Sequence, residues 1–596
     1  MMFDVRAVRP ATSRAIGTSA LLAIIAFVVY LPALNTGFSA DDFFILARLK
    51  AHDGLAHPLA YFGFGFFQYY RPAAFLSHGV DWQIWGSNPF GFHLTNVLLH
   101  VGCTLLVFHI GRRVLTVSAA GVAALLFALH PASHEAVYWI AARFDLMATF
   151  FTLAAFWCLM HERGSWQAAG VAAFALGLLS KESAISLLLI VPAWDVFVMK
   201  RDVASTMRRL VPLVVIAVAY AMLRNFGADL DATGGSRRLP KLIGMAAILL
   251  ALLASAWKRN RDTPLDLRVP WPLAAGVAVA VFAFLWWPVT AASMAKALGF
   301  TAYAAFYLIS PIIVPAPPPE WFTPIVARDA VPGFIILCGG LALLTALGRK
   351  ARHPAEPLFI CLFIAAALLP VSSMTGGLRY LYLASAGASL LAAWLLQQIP
   401  RAAGRIAALA VVPIVLAIST RQLLDAGRAW RAGSDVTRDG ITMMSSSLEP
   451  CGSKDVVLLT TPVGIGGVYS NLYYEAFDIL TGCSPKSFAT LLRVVGTDEH
   501  IDVLATSAVI ELRVPHYRGN IIASADLSTF EIEVPPGLSQ TIQTAIGPLK
   551  ISAEGSTQVF RLTLTEDLRG AQRFYYSDGR IRSLPTTVAK TFGGVP

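Results

Sequence analysis

Up to about residue 420 the chain is organised in blocks rather than in alternation. Long apolar runs are separated by short polar or basic stretches. A run of about 20 apolar residues is what a helix needs to cross the hydrocarbon core of a bilayer. The pattern predicts spans at 15–33, 91–111, 114–131, 146–160, 166–180, 184–199, 210–224, 241–257, 270–288, 331–348, 356–371, 378–397 and 405–420, about thirteen helices in all. The first run follows Arg6, Arg9 and Arg14. It is long enough to span, so it reads as an uncleaved first helix rather than a signal peptide. The apolar segment 296–314 is expected to be interfacial or re-entrant. With it left out, Arg112-Arg113, Lys200-Arg201, Arg208-Arg209, Lys258-Arg259, Arg349-Lys350 and Arg401/Arg405 all fall on one side. That side then holds about 19 Lys/Arg in roughly 60 residues, against about 11 in roughly 140 on the other. The N-terminus is therefore expected in the cytoplasm and everything after about residue 422 outside it. In a bacterium this means the inner membrane with a periplasmic tail; in a eukaryote, the endoplasmic reticulum membrane.

Two outer loops are long. Residues 34–90 are rich in aromatics (Tyr61, Phe62, Phe64, Phe66, Phe67, Tyr69, Tyr70, Trp82, Trp85) and are expected to lie partly on the membrane as short helices. Residues 289–330 contain the stiff run Pro315-Ala316-Pro317-Pro318-Pro319. Beyond about 425 the period changes. Apolar runs shorten to strand length at 456–459, 530–534 and 559–564, with one helix near 470–480. The fold class that follows is a polytopic all-α membrane domain, 1–422, with a soluble mixed α/β or α+β domain at 423–596. Gly464-Ile465-Gly466-Gly467 reads as a tight turn before it reads as an anion nest.

Composition agrees with this division. The chain is 56% hydrophobic and 14% charged, with a mean hydropathy of +0.62. The net charge of +11 belongs to cytoplasmic loops. No basic stripe with interleaved aromatics points to nucleic acid. Cys103, Cys158, Cys338 and Cys361 sit in apolar runs as small hydrophobes. Cys451 and Cys483 are the only cysteines of the exported tail. They form either a disulfide or two separate thiols.

The candidate chemistry lies at the outer ends of the spans. Asp41-Asp42 follows the first helix. Two adjacent carboxylates at the mouth of a span are costly unless solvated or used, and proximity raises one pKa toward that of a base. Adjacent residues point apart, so one acid is expected to face a cavity as base. The other then bonds the backbone or a cation, and Asp42 is slightly preferred as the base. Tyr70-Arg71-Pro72 and Asn88-Pro89-Phe90-Gly91-Phe92-His93 complete the first loop. Arg71 fits a carboxylate, a phosphate or interfacial snorkelling. His93 and His100 read as satisfied polar residues before ligands. His130-Pro131-Ala132-Ser133-His134-Glu135 leads to Trp139, Arg143 and Asp145. His130 and His134 have i,i+4 spacing, but Pro131 and the absence of H-E-x-x-H argue against a zinc site. Lys181-Glu182 occupies a short outer turn, and Arg379 opens a late span in Leu378-Arg379-Tyr380-Leu381-Tyr382.

These motifs in this order resemble the membrane part of the tetratricopeptide-containing transmembrane O-mannosyltransferases and their bacterial relatives. That group stands with protein O-mannosyltransferases and the aminoarabinose transferase in the GT-C fold class. The resemblance covers about residues 15–400. The tail has no tetratricopeptide period, and Leu378 stands where relatives tend to have Glu. The resemblance implies inverting transfer of a sugar from a polyprenyl-phosphate carrier, undecaprenyl or dolichyl, to a hydroxyl of a protein or surface glycan. Asp41 or Asp42 would be the base. Arg379, Lys181, Arg143 and Arg71 would meet the donor phosphate. His134, Glu135, Asp145, Tyr380 and His93 would line the sugar and acceptor site. No cofactor or metal is required, though a divalent ion held by Asp41 or Asp42 stays compatible. Rival readings are a polysaccharide ligase with a lipid-linked donor, a lipid or sugar transporter or flippase, and a structural or assembly membrane protein.

Overall fold

The computed structural model describes residues 13–62, 70–230, 355–371, 377–398 and 401–448, and from 450 to 584 all but short connecting stretches. The expected spans at 241–257, 270–288 and 331–348, the segment 296–314, the polyproline run and Cys338 lie outside the described residues.

Among the described residues, six helices are long and apolar enough to cross a membrane: Ser13–Asn35, Pro89–Gly111, Ile140–Leu159, Val203–Arg224, Leu378–Gln398 and Ala410–Ser446. Val117–Ala128 and Ala355–Leu368 are shorter apolar helices. The chain is a multi-pass membrane protein. In chain order the described helices are α1 (Ser13–Val29), α2 (Asp42–Ala51), α3 (Pro72–Trp85), α4 (Pro89–Gly111), α5 (Val117–Ala128), α6 (Ser133–Tyr138) and α7 (Arg143–Leu159). There follow α8 (Gly164–Ser180), α9 (Leu187–Ala193), α10 (Val203–Leu230), α11 (Ala355–Leu368), α12 (Tyr382–Gln398), α13 (Arg401–Ser446) and α14 (Tyr474–Thr481). Local chemistry sets several starts. Asn88 caps α4 by accepting from the Phe90 N–H at 3.1 Å, with Pro89 in the first turn. Thr116 caps α5 by accepting from the Ala119 N–H. The span expected at 184–199 is broken into a 3-10 turn, α9 and a π turn. Pro192 removes a helical N–H inside it.

The first loop folds into α2, the 3-10 turn Pro58–Phe62 and α3. Tyr61 and Tyr70 are buried there, whereas Phe64, Phe66, Phe67 and Tyr69 lie outside the described residues.

The boundary expected at 422/423 falls inside α13, which runs unbroken for 46 residues. Hydropathy drops there, but the helix does not stop. Ion pairs at helical spacing, Arg421–Asp425, Arg428–Asp425 and Arg438–Asp435, carry the exposed face. Leu423, Trp430, Ile441 and Met444 stay buried on the other face.

The tail contains two sheets. The larger has the order β13-β12-β1-β4-β7-β8. Its strands are Arg580–Leu584 (β13), Gln572–Ser577 (β12), Asp455–Pro462 (β1), Ser487–Val494 (β4), Asn520–Ile522 (β7) and Glu531–Glu533 (β8). β1 pairs in parallel with both β12 and β4. The second sheet is antiparallel, β5-β6-β11-β10-β9. It is built from Asp502–Ala505 (β5), Val509–Pro515 (β6), Thr557–Thr563 (β11), Gly547–Glu554 (β10) and Gln540–Thr544 (β9). Gly464–Ile465 (β2) pairs with Val468–Tyr469 (β3) as a small hairpin, while Gly466 and Gly467 lie outside the described residues. Side chains alternate across a strand, and β1 uses both faces. Val456 and Leu458 join one core with Ile441 and Met444 of α13, Phe477 of α14 and the membrane helices. Val457 and Leu459 join Ile510, Leu512, Phe560 and Leu562 between the sheets. The tail is thus packed onto the membrane domain through α13. Cys451 and Cys483 form a disulfide with their Cα atoms 5.6 Å apart, tying the chain beyond α13 to the end of α14. Lys50 of α2 meets Asp478 of α14 at 2.9 Å.

Candidate active site

The acid pair sits in a strained turn. Ala40 has φ 47°, a left-handed conformation that costs a residue with a β-carbon roughly 1–2 kcal/mol. The cost is offset by Asp42, which reaches back to its own turn. One carboxylate oxygen accepts from the Ser39 N–H at 2.8 Å and the other from the Ala141 N–H at 2.7 Å. Asp42 is 1% exposed. Burial pushes its carboxyl up to about 8, against the downward pull of those two amides. Its pKa would suit a base, but geometry comes before pKa in choosing one, and both oxygens are already occupied. Asp41, at the start of α2, is half-buried.

Arg143 faces protein groups on every side of its guanidinium. It is fully buried, and its guanidinium is surrounded by partners. Nη1 meets Asp81 at 2.5 Å and Ser77 Oγ at 3.2 Å. Nε donates to Asn96 Oδ1 at 2.8 Å, and Nη2 to the Phe92 carbonyl at 2.7 Å. Asn96 in turn donates to the carbonyls of Val137 and Trp139. Asp81 and Asn96 were not singled out from the sequence. The one available signal was their polarity inside apolar surroundings, at 81 in the first loop and at 96 after the Asn-Pro-Phe-Gly-Phe-His run.

A second cluster alternates in sign. Lys181 Nζ meets Asp145 Oδ1 at 2.6 Å, and Asp145 Oδ2 lies 4.0 Å from Arg379 Nε. Arg379 pairs with Glu135, whose carboxylate also accepts the backbone N–H groups of Leu378 and Arg379. Glu135 therefore orients the arginine. It also supplies from α6 a carboxylate beside Leu378. The guanidinium lies over Trp139 at 4.7 Å and over Tyr380 at 4.5 Å, and it donates to Tyr380 Oη at 2.9 Å. Lys181 lies over the same tyrosine at 4.6 Å. Burial holds the Lys181 amine down at about 8, although Asp145 opposes it. Arg71 is paired with Glu182 at 2.9 Å and covers Phe144. Burial alone would raise Glu182, but Arg71, Lys181 and Arg224 hold it at about 2. Arg71 thus backs the cluster from behind the Lys181 turn.

The histidines serve the scaffold. His93 is buried against the backbone of Thr36 and Gly37, which places it beside the turn that leads to the acids. His100 bonds the Tyr382 hydroxyl at 2.6 Å and the Ala128 carbonyl at 3.1 Å. His130 Nδ1 accepts the Ala132 N–H, and His134 Nδ1 accepts from Trp430 Nε1 at 3.0 Å. Among the described residues no group of three His, Cys, Asp or Glu is arranged to hold a metal ion.

The acids and the cations meet on one short segment. Ala141 holds Asp42 through its N–H, while Trp139, two residues earlier, carries Arg379 on its ring.

The chain is similar to protein O-mannosyl-transferase Tmtc1 of Drosophila melanogaster, with 38% identity over 199 residues, 30% of this chain and 22% of that protein. It is 29% identical to protein O-mannosyl-transferase TMTC4 of Homo sapiens over 185 residues, 26% of this chain and 25% of that protein. The matched part thus spans less than a third of the length of these curated relatives. Among solved structures, the Archaeoglobus fulgidus oligosaccharyltransferase aligns over 78% of this chain and 63% of its own, with a TM-score of 0.46 and 14% identity. ArnT from Cupriavidus metallidurans, bound to undecaprenyl phosphate, aligns over 79% of this chain and 86% of its own, with a TM-score of 0.42 and 13% identity. Residues 72–225, which carry the whole Arg143 network together with Glu135, Asp145, Lys181 and Glu182, match the dolichyl-phosphate-mannose-protein mannosyltransferase family.

Proposed function

We propose that the protein is an inverting glycosyltransferase that moves a sugar from a polyprenyl-phosphate carrier to an acceptor hydroxyl on the non-cytoplasmic side of the membrane. The observation that carries this reading is the shared segment at 139–141, which anchors the acid pair at one end and Arg379 at the other. A base and a cationic leaving-group site are thereby fixed relative to each other. Asp41 takes the proton of the acceptor hydroxyl as its oxygen bonds to the anomeric carbon. The bond from that carbon to the carrier phosphate breaks, and the departing phosphate takes the electron pair. Arg379 offers a planar fork to the growing charge and Lys181 a point charge. Side-chain cations supply the positive charge, so the scheme uses no metal. The similarity to named protein O-mannosyltransferases supports a protein hydroxyl as the acceptor and mannose as the sugar.

The test is transfer from a purified lipid-linked sugar to a hydroxyl acceptor, read by mass spectrometry. Asp41→Asn keeps the size of the carboxylate but cannot take a proton, and it should lower the rate by about 10²–10⁴-fold. Asp42→Asn should instead reduce the yield of folded protein, because an amide cannot accept both backbone N–H groups. Wild-type transfer by Asp41→Asn would end the mechanism. Movement of the lipid across vesicles without transfer would favour a flippase.

A further inference from the structure

The helix that leads out of the membrane into the tail also touches the site. Four residues of α13, spaced by one helical turn or less, meet two separate parts of it. Gly427 packs on Tyr138 so closely that an added β-carbon would overlap the tyrosine hydroxyl. Trp430, 1% exposed, donates from Nε1 to His134 Nδ1 and stacks on Trp139, with ring centroids 6.2 Å apart at 29°. Arg431 donates to the Pro32 carbonyl at 3.2 Å. Ser434 Oγ accepts the Gly37 N–H at 3.0 Å. The first two contacts fall on α6 and Trp139, the segment that presents Glu135 and supports Arg379. The other two fall on 32–37, the strap that runs into Asp41.

We infer that Trp430 is a positioning residue of the transfer site, acting through Trp139 on Arg379, and that residues 427–434 brace the acid strap and the cation cluster as one unit. The inference rests on the functional reading above. Trp139 packs against the Trp430 indole and carries the Arg379 guanidinium 4.7 Å from its ring. Removing the indole frees Trp139 to tilt, and the guanidinium moves with it. An indole N–H can only donate, so the bond from Trp430 also fixes Nδ1 of His134 as an acceptor. On this view the tail is not a separate appendage: its packing on α13 sets the rigidity of the donor site.

The experiment compares Trp430→Ala and Trp430→Phe in the full-length protein, with activity expressed per mole of monodisperse protein. A misplacement of the order of 1 Å costs about 100-fold. Trp430→Ala should therefore lose roughly 10–100-fold in kcat/KM for the lipid-linked donor, and Trp430→Phe, which keeps a ring against Trp139, should recover most of that loss. A fold-wide effect would also lower activity, so each variant is repeated in an Arg379→Ala background. Groups acting through one another are non-additive, and the Trp430→Ala loss should largely disappear there. An undiminished loss in that background, or wild-type kcat/KM in Trp430→Ala alone, overturns the inference. Thermal unfolding of the wild type, the two Trp430 variants, Arg379→Ala and the two double variants is measured in parallel. If wild-type protein transfers no sugar, the functional reading fails by itself. The brace then stands or falls on whether the two substitutions couple in stability.

Discussion

Arg143 and Arg379 begin alike, each an arginine at the mouth of a span, yet they end in different environments. Arg143 is fully buried, and all three guanidinium nitrogens face protein partners: Asp81, Ser77, Asn96 and the Phe92 carbonyl. Arg379 keeps 16% of its side chain exposed and contacts two aromatic rings, Trp139 and Tyr380. Its carboxylate partner holds it by the backbone as well as the side chain. A fully buried, saturated arginine fixes a fold; an arginine that keeps part of its side chain exposed can meet a ligand. A similar difference in exposure separates Asp42, 1% exposed, from the half-buried Asp41 beside it.

The sharpest test of the comparison exchanges the expected phenotypes. Arg143→Ala leaves Asp81 buried without its cation, and breaking a buried pair in this way costs about 3–5 kcal/mol. Thermal unfolding in detergent should show a large loss, or no folded protein should be recovered. Arg379→Ala should unfold close to wild type while transfer falls about 10²–10³-fold, the range seen when one donor to a developing oxyanion is removed. If Arg379→Ala proves the less stable variant and Arg143→Ala merely inactive, the assignments are reversed.

A smaller effect separates charge from shape. Arg379→Lys keeps the positive charge but loses the fork, so it should retain more transfer than alanine and less than wild type, about tenfold down. Arg143→Lys should be nearly as unstable as Arg143→Ala, since one ammonium cannot reach Asp81, Asn96 and the Phe92 carbonyl together. Unfolding midpoints and transfer rates of the two lysine variants decide this.

The sequence carried the helices wherever hydropathy alone defines them, as in α4, α5 and α12, and the strand runs at β1 and β11 through their short apolar length. It did not carry the continuation of α13. Hydropathy reports the membrane rather than the helix, and the exposed half of α13 is held by ion pairs and one buried stripe. The charged residues of the site were legible as residues that had to be paired. Their partners were not: Arg143 finds Asp81 and Asn96, 62 and 47 positions away, through helix packing that no local pattern encodes. Trp430 left no trace beyond a tryptophan three residues after a glycine. Its contacts with His134 and Trp139 span nearly 300 positions.

The smallest effect concerns pH and extends the comparison from Arg379 to its neighbour Lys181. Burial holds Lys181 at about 8, below the ordinary lysine value of 10.5. The free protein should therefore lose this charge as pH rises through about 8, and kcat/KM for the anionic donor should fall on that limb, since this ratio reports groups of the free enzyme. Stability should move the other way. Between about 8 and 10.5 the unfolded chain still holds the proton that the folded chain has released. The unfolded state thus binds more protons there, and this group's contribution to stability increases with pH. Activity lost while the unfolding midpoint holds or rises is the signature of a titrating lysine and not of alkaline unfolding. Arginine stays charged throughout this range, so Lys181→Arg should push the alkaline limb upward even if the longer side chain lowers the plateau. A limb that stays near pH 8 in Lys181→Arg would place the titration elsewhere and leave Lys181, like Arg143, as part of the closed scaffold.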